Sequence, residues 1–170
     1  MIVMPKSHMP KSGSKIAEMK NKKPLHYTAC GLEDIYLMSG YEIVKTSHGE
    51  GTAIKKLDEL HLAIGRNLAE RKKVLSAKEL RFLRKHMNLT QSELGKLLGL
   101  TSQQVARWEK DESDISGAAE FLLRAYFIQH AGGSLNLQEL VSTLDEIDAP
   151  ANEKSFFAKT ASGWHAQMAA

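Results

Sequence analysis

Only one cysteine, Cys30, occurs in 170 residues, so an intrachain disulfide is impossible and a structural zinc site cannot be built from thiolates. No apolar run approaches the roughly 20 residues that span a bilayer. The lysine-bearing start MIVMPKSHMPKSGSKIAEMKNKKP also lacks the continuous apolar stretch of a secretory signal, so a soluble, cytoplasmic chain with no membrane partner is expected. Self-similarity at the roughly 20 to 50 residue period of solenoids is missing. So are catalytic signatures: no motif fixes Cys30 against His26 or His48 as nucleophile and base, and Glu33 and Asp34 are adjacent rather than opposed. HGEG at 48–51 is hairpin-turn material without the spacing of a phosphate loop. His26, His48 and His61 are widely spaced with no i, i+4 pair, so neither a metal nor a cofactor is expected, and the chain reads as a binding protein rather than an enzyme. Its length suits one domain, or one domain with a small appendage.

Charge is present and unevenly placed. The net +3 divides into +5 over residues 1–23, 0 over 24–75, +4 over 76–110 and −6 over 111–170. Residues 76–110 could neutralise phosphates that the last third would repel. The lysines of the first segment suit either that role or a solubilising tail. Residues 1–24 mix Pro, Lys, Ser, Gly and Met without periodicity and read as a disordered basic arm. Residues 25–75 hold short β-branched and aromatic runs, IYLM, YEIVKT and TAIK, broken by turn residues, which predict a small antiparallel meander. A helix follows, with Leu57, Leu60, Ile64 and Leu68 at helical spacing and Gly65 weakening its middle.

From Ser76, an N-cap with Glu79 as its capping-box partner, helices are expected near 77–87, 91–98, 102–110, 117–130 and 137–146. Residues 76–148 form the second domain and 149–170 a C-terminal tail, in which FFAK could make an edge strand and Trp164 an anchor to the N-terminal sheet. The most informative stretch is LTQSELGKLLGLTSQQVARWEK, from Leu89. Leu94, Leu98, Leu100, Val105 and Trp108 are spaced to bury two short helices against each other and against Leu80, Leu83 and Met87. Gly95 supplies a small residue at the crossing and Gly99 a positive φ for the turn, while Thr90 and Thr101 cap the two helices. Such a pair is the unit whose second helix enters the major groove.

On these residues the segment 76–130 resembles the XRE, or lambdoid-repressor-like, helix-turn-helix family, through LRFLRKHMNLTQSELGKLLGLTSQQVARWEK. The resemblance implies a five-helix DNA-binding domain, and hence an α+β chain in which a β meander and a helix precede it. It also implies a dimer on an inverted repeat, and a transcriptional regulator that represses a nearby promoter is expected. Ser102, Gln103, Gln104 and Arg107 stand on the exposed side of the reading helix; glutamine can pair with adenine and arginine with guanine. Gln91 matches the family's phosphate-touching glutamine, and Thr101, Arg81, Lys85 and Lys110 are further phosphate candidates. Arg84 matches an arginine that pairs with the glutamate at Glu109, and Trp108 reads as core.

The helix at 117–130 is apolar on nearly every side, with Phe121, Leu122, Tyr126 and Phe127 as candidates for a dimer interface. Its surplus surface calls either for a second subunit or for the N-terminal sheet and helix. The order of parts also resembles MqsA-like antitoxins. Their paired Cys-x-x-Cys zinc ligands are missing here, since ACGLEDIYL keeps one cysteine. By that analogy the N-terminal half would hold a toxin protein, and the chain would be an autoregulating antitoxin.

Overall fold

A computed structural model describes residues 23–148 and 153–168, so nearly all of the expected basic arm lies outside the described residues. In chain order the elements are β1 (Leu25–His26), β2 (Ile35–Leu37), β3 (Tyr41–Thr46), β4 (Gly49–Ile54), α1 (Leu57–Arg71), α2 (Ala77–His86), α3 (Gln91–Leu98), α4 (Ser102–Glu109), α5 (Gly117–His130), α6 (Leu137–Glu146), β5 (Ser155–Thr160) and β6 (Gly163–Gln167). The chain is thus α+β. No helix among the described residues is long and apolar enough to cross a membrane.

The helices begin where side chains can satisfy their orphan N–H groups. Ser76, Thr90 and Thr101 each complete a reciprocal box, with Glu79, Glu93 and Gln104, and Ser116 and Asn136 cap α5 and α6. The α1 stripe buries Leu60, Ile64 and Leu68, but Leu57, expected with them, is 41% exposed at the helix start.

The strands depart from the expected meander. β3 and β4 pair only with each other, from Tyr41↔Ile54 to Thr46↔Gly49. β2 leaves that hairpin and joins a four-stranded sheet of order β1-β2-β5-β6, antiparallel to β1 and parallel to β5. The reason is burial. Ile35 and Leu37 point into the core, and Phe157, directly beside Leu37, supplies apolar surface that the exposed hairpin does not have. The Ser39 hydroxyl accepts from the Lys159 N–H at 2.9 Å and donates to its carbonyl, extending this union past the ladder. FFAK is therefore an interior strand rather than an edge, and β6 takes the edge. Residues 155–160 and 163–167 of the expected tail are strands. Trp164 is buried, and its indole donates to the Lys55 carbonyl at 2.9 Å, which ties β6 to the start of α1.

The two halves share a core through α1 and α5. The Phe127 ring lies on Gly65, where a Cβ would sit 2.1 Å from Cζ, so α1 accepts the helix-weakening glycine to admit a fully buried ring. That burial is worth about 1.5–3 kcal/mol, and it corrects one expectation. Phe127 faces α1 of its own chain and is unavailable to a second subunit. Arg124, 1% exposed, binds the C-terminal turn of α1: Nη1 donates to the Leu68 and Ala69 carbonyls at 2.9 and 3.1 Å, and Nε donates to Glu120. An isolated guanidinium could not be buried there. The Glu120 carboxylate and the terminal carbonyls of α1 make it possible.

Candidate nucleic-acid interface

The pair α3–α4 takes its shape from one turn. Gly99 ends α3 at φ 69°, in the left-handed region, and Gly95 lets the chain fold back closely: a Cβ there would lie 2.8 Å from the Leu100 carbonyl. Leu94, Val105 and Trp108 are buried with Leu80, Leu83 and Met87 of α2, while Leu98 and Leu100 are half-buried against the same core. Burying Val105 and Trp108 fixes which side of α4 looks outward.

A carboxylate joins the three helices. Glu109 accepts from Arg84 Nε at Oε1 (2.5 Å), from Arg84 Nη2 at Oε2 (2.9 Å) and from Gln91 Nε2 at Oε2 (3.0 Å). Arg84 Nη1 goes to the Leu89 carbonyl at 2.7 Å, in the connection between α2 and α3. Burial pushes the Glu109 carboxyl upward, but the hydrogen bonds from Arg84 and Gln91 and the charges of Arg84 and Arg81 outweigh it and hold the group below the ordinary glutamate range. The fork geometry is bidentate, the form in which an arginine fixes orientation as well as charge. The structure thus brings Arg84 and Glu109 together as a clamp, leaving little of the Arg84 guanidinium for a phosphate.

The sequence candidates fall around this clamp. Ser102, Gln103, Gln104 and Arg107 are all exposed along α4; the helical repeat sets Gln103 and Arg107 opposite Val105 and Trp108, and Ser102 and Gln104 beside them. Their situations differ. Gln104 folds its side chain back, its Oε1 accepting from the Thr101 N–H at 3.0 Å and the Thr101 hydroxyl at 3.2 Å, so it caps the helix and only its amide N–H group is left to offer outward. Thr101 gives its hydroxyl to the same box. Gln91 is half-buried with its amide on Glu109, so it reaches the surface from a fixed position. Ser102, Gln103 and Arg107 make no hydrogen bond or ion pair through their side chains within the described residues. Arg81 and Lys85 on α2 and Lys110 at the end of α4 are exposed and likewise without an ion pair there. Lys96 on α3 is exposed too. The +4 balance of 76–110 already contained that charge, but it was not among the candidates. Arg124 was also missed, because a buried arginine at a helix end has no local sequence signal.

Cys30 is half-buried with its thiol donating to the Tyr27 carbonyl, and burial pushes it up, away from the reactive thiolate. His61 accepts or donates at Tyr27 Oη (2.9 Å) and packs on His86 and Phe82. Burial, and then the facing His61, pushes His86 down to about 4. Among the described residues no group of three or more His, Cys, Asp or Glu could hold a metal ion. Of the remaining dimer candidates, Phe121 and Tyr126 are half-buried and Leu122 is 42% exposed. The surplus surface of α5 is thus largely met by α1 within one chain.

Residues 80–119 match a family model described as Helix-turn-helix. No curated protein and no solved structure matches the chain.

Proposed function

We propose that α4 reads base edges in the major groove of a specific duplex site, as the third helix of a five-helix unit α2–α6; the helix-turn-helix match over residues 80–119 supports a DNA-binding transcription regulator. The single observation that carries this is the free, outward pair Gln103 and Arg107, flanked by exposed Ser102, on a helix whose opposite side is locked by Trp108 and the Arg84–Glu109–Gln91 clamp. Glutamine offers adenine a donor and an acceptor, and arginine offers guanine a bidentate pair, each worth about 1–3 kcal/mol of discrimination. Arg81, Lys85, Lys96 and Lys110 supply phosphate charge, and Gln91 and Thr101 set the register from the starts of α3 and α4. Gln104 supports the reading helix by capping it.

One such helix covers too few base pairs for useful selectivity, so the regulator works as a dimer on an inverted repeat and represses by occupying it, without a catalytic step, in the cytoplasm. Selection of bound duplexes from a random pool tests the reading. A palindromic motif with half-sites about one helical turn apart is expected. Recovery of unrelated sequences, held equally well, would contradict it.

A further inference from the structure

The hairpin β3–β4 carries the longest exposed run among the described residues. Residues 42–50 are all exposed, with Ile43 at 53% and Val44 at 38%. A lone two-stranded ribbon is only marginally stable in water, and three or more strands are needed for stability of its own. Its register decides which backbone groups are spare. Ser47 and His48 form a two-residue loop closed by Thr46↔Gly49, and the Lys55 N–H donates to the Gly40 carbonyl at 2.9 Å. The even-numbered residues of β3 therefore exchange hydrogen bonds with β4, and the N–H and C=O groups of Tyr41, Ile43 and Lys45 point away from it. No strand among the described residues takes them up.

We infer that this edge pairs with the same edge of a second copy of the chain, antiparallel, with Ile43 opposite Ile43 across a twofold axis. The inference rests on the dimeric reading proposed above and places its interface. An axis perpendicular to a sheet keeps each residue on its own side, so the paired positions must share parity. Of the registers that meet this condition, Ile43 on the axis is the one that engages all three outward residues. Tyr41 then lies opposite Lys45, and about six backbone hydrogen bonds form. The two ribbons become one four-stranded sheet in which each exposed Ile43 is covered by the other. β4 is the poorer edge, because Gly49 and Gly51 weaken its strand. The interface expected on α5 is correspondingly reduced, since Phe127 is occupied within its own chain.

Light scattering on the full chain, from about 1 to 100 micromolar, is expected to show a dimer for the natural sequence. Ile43→Pro removes an N–H that the hairpin does not use, and is expected to give monomers with an unchanged far-ultraviolet spectrum. In a Cys30→Ser background, Ile43→Cys is expected to oxidise to a covalent dimer, its Cα atoms lying about 5.5 Å apart across the axis. Val44→Cys, which faces Glu42 instead of its own counterpart, is expected to stay uncrosslinked. A monomer at every concentration, a dimer that survives Ile43→Pro, or equal crosslinking at 43 and 44 would each overturn the inference. A β3-linked dimer that selects no duplex would sink the DNA reading and leave this one standing. A palindrome bound by chains still dimeric with Ile43→Pro would do the reverse.

Discussion

The helical unit α2–α4 and the four-stranded sheet are held together over very different stretches of chain. Arg84 and Glu109, which close the helical unit, are 25 residues apart, whereas Ser39 and Lys159, which bind β2 to β5, are 120 apart. The first unit can set its geometry from caps, one glycine turn and neighbouring helices. The second must bring the two ends of the chain together before any of its hydrogen bonds form, and loop closure charges for that in entropy. Labour is divided between them: α3–α4 is held rigid by local means, and the strand layer is tied to it through α1, by Arg124 and by Phe127 on Gly65.

Cutting that tie is expected to have the largest effect. Arg124→Met leaves Glu120 and the carbonyls at the end of α1 without their cation, a loss of about 3–5 kcal/mol. The two tryptophans report the regions separately, Trp108 in the helical unit and Trp164 in the sheet. In single-tryptophan versions of this variant, the Trp164 fluorescence transition should move to lower urea than that of Trp108. Coincident transitions would merge the two regions into one cooperative unit and break the comparison.

A smaller loss, about 3 kcal/mol at neutral pH, is expected for Arg84→Met, which leaves Glu109 half-buried with only Gln91. The sign follows from the carboxyl's position. In the natural chain Glu109 is held low, so its contribution is present above the unfolded value of about 4.3 and is lost as pH falls through the lower folded value. Without Arg84, burial raises the group and acid relieves it. The stability gap between the two proteins, measured by denaturant titration, should therefore narrow as pH falls below about 5. A gap that is constant from pH 7 to about 3 would show that the clamp is not electrostatic.

Gln104→Ala sharpens the picture further. Loss of one member of the α4 capping box should cost about 1 kcal/mol of stability, with base preference at selected sites unchanged. A changed preference would return Gln104 to the reading row.

How far the sequence revealed this protein follows the same division. α3, α5 and α6 lie at 91–98, 117–130 and 137–146, where they are expected, and α2 and α4 each end one residue early. Every signal for them sits within a few residues: a capping hydroxyl, an apolar residue each turn, Gly99 at the turn. The strands at 41–46 and 155–160 were legible as strands but not in their pairing. Nothing near Ile35 shows that its neighbour is Ser155. The clamp was visible through the family pattern. The Gln91–Glu109 bond and the inward turn of Gln104 were not, because both depend on how a flexible amide chooses among nearby donors.

In the proposed reading α4 presents Gln103 and Arg107 to bases while neither contributes to the fold. Binding of a selected duplex and of a scrambled one, measured side by side for Gln103→Ala/Arg107→Ala and the natural chain at one salt concentration, tests it most directly. The preference for the selected duplex is expected to fall by a factor of roughly 100 or more, with thermal stability within about 0.5 kcal/mol of the natural chain. An undiminished preference in a normally folded double variant would contradict it.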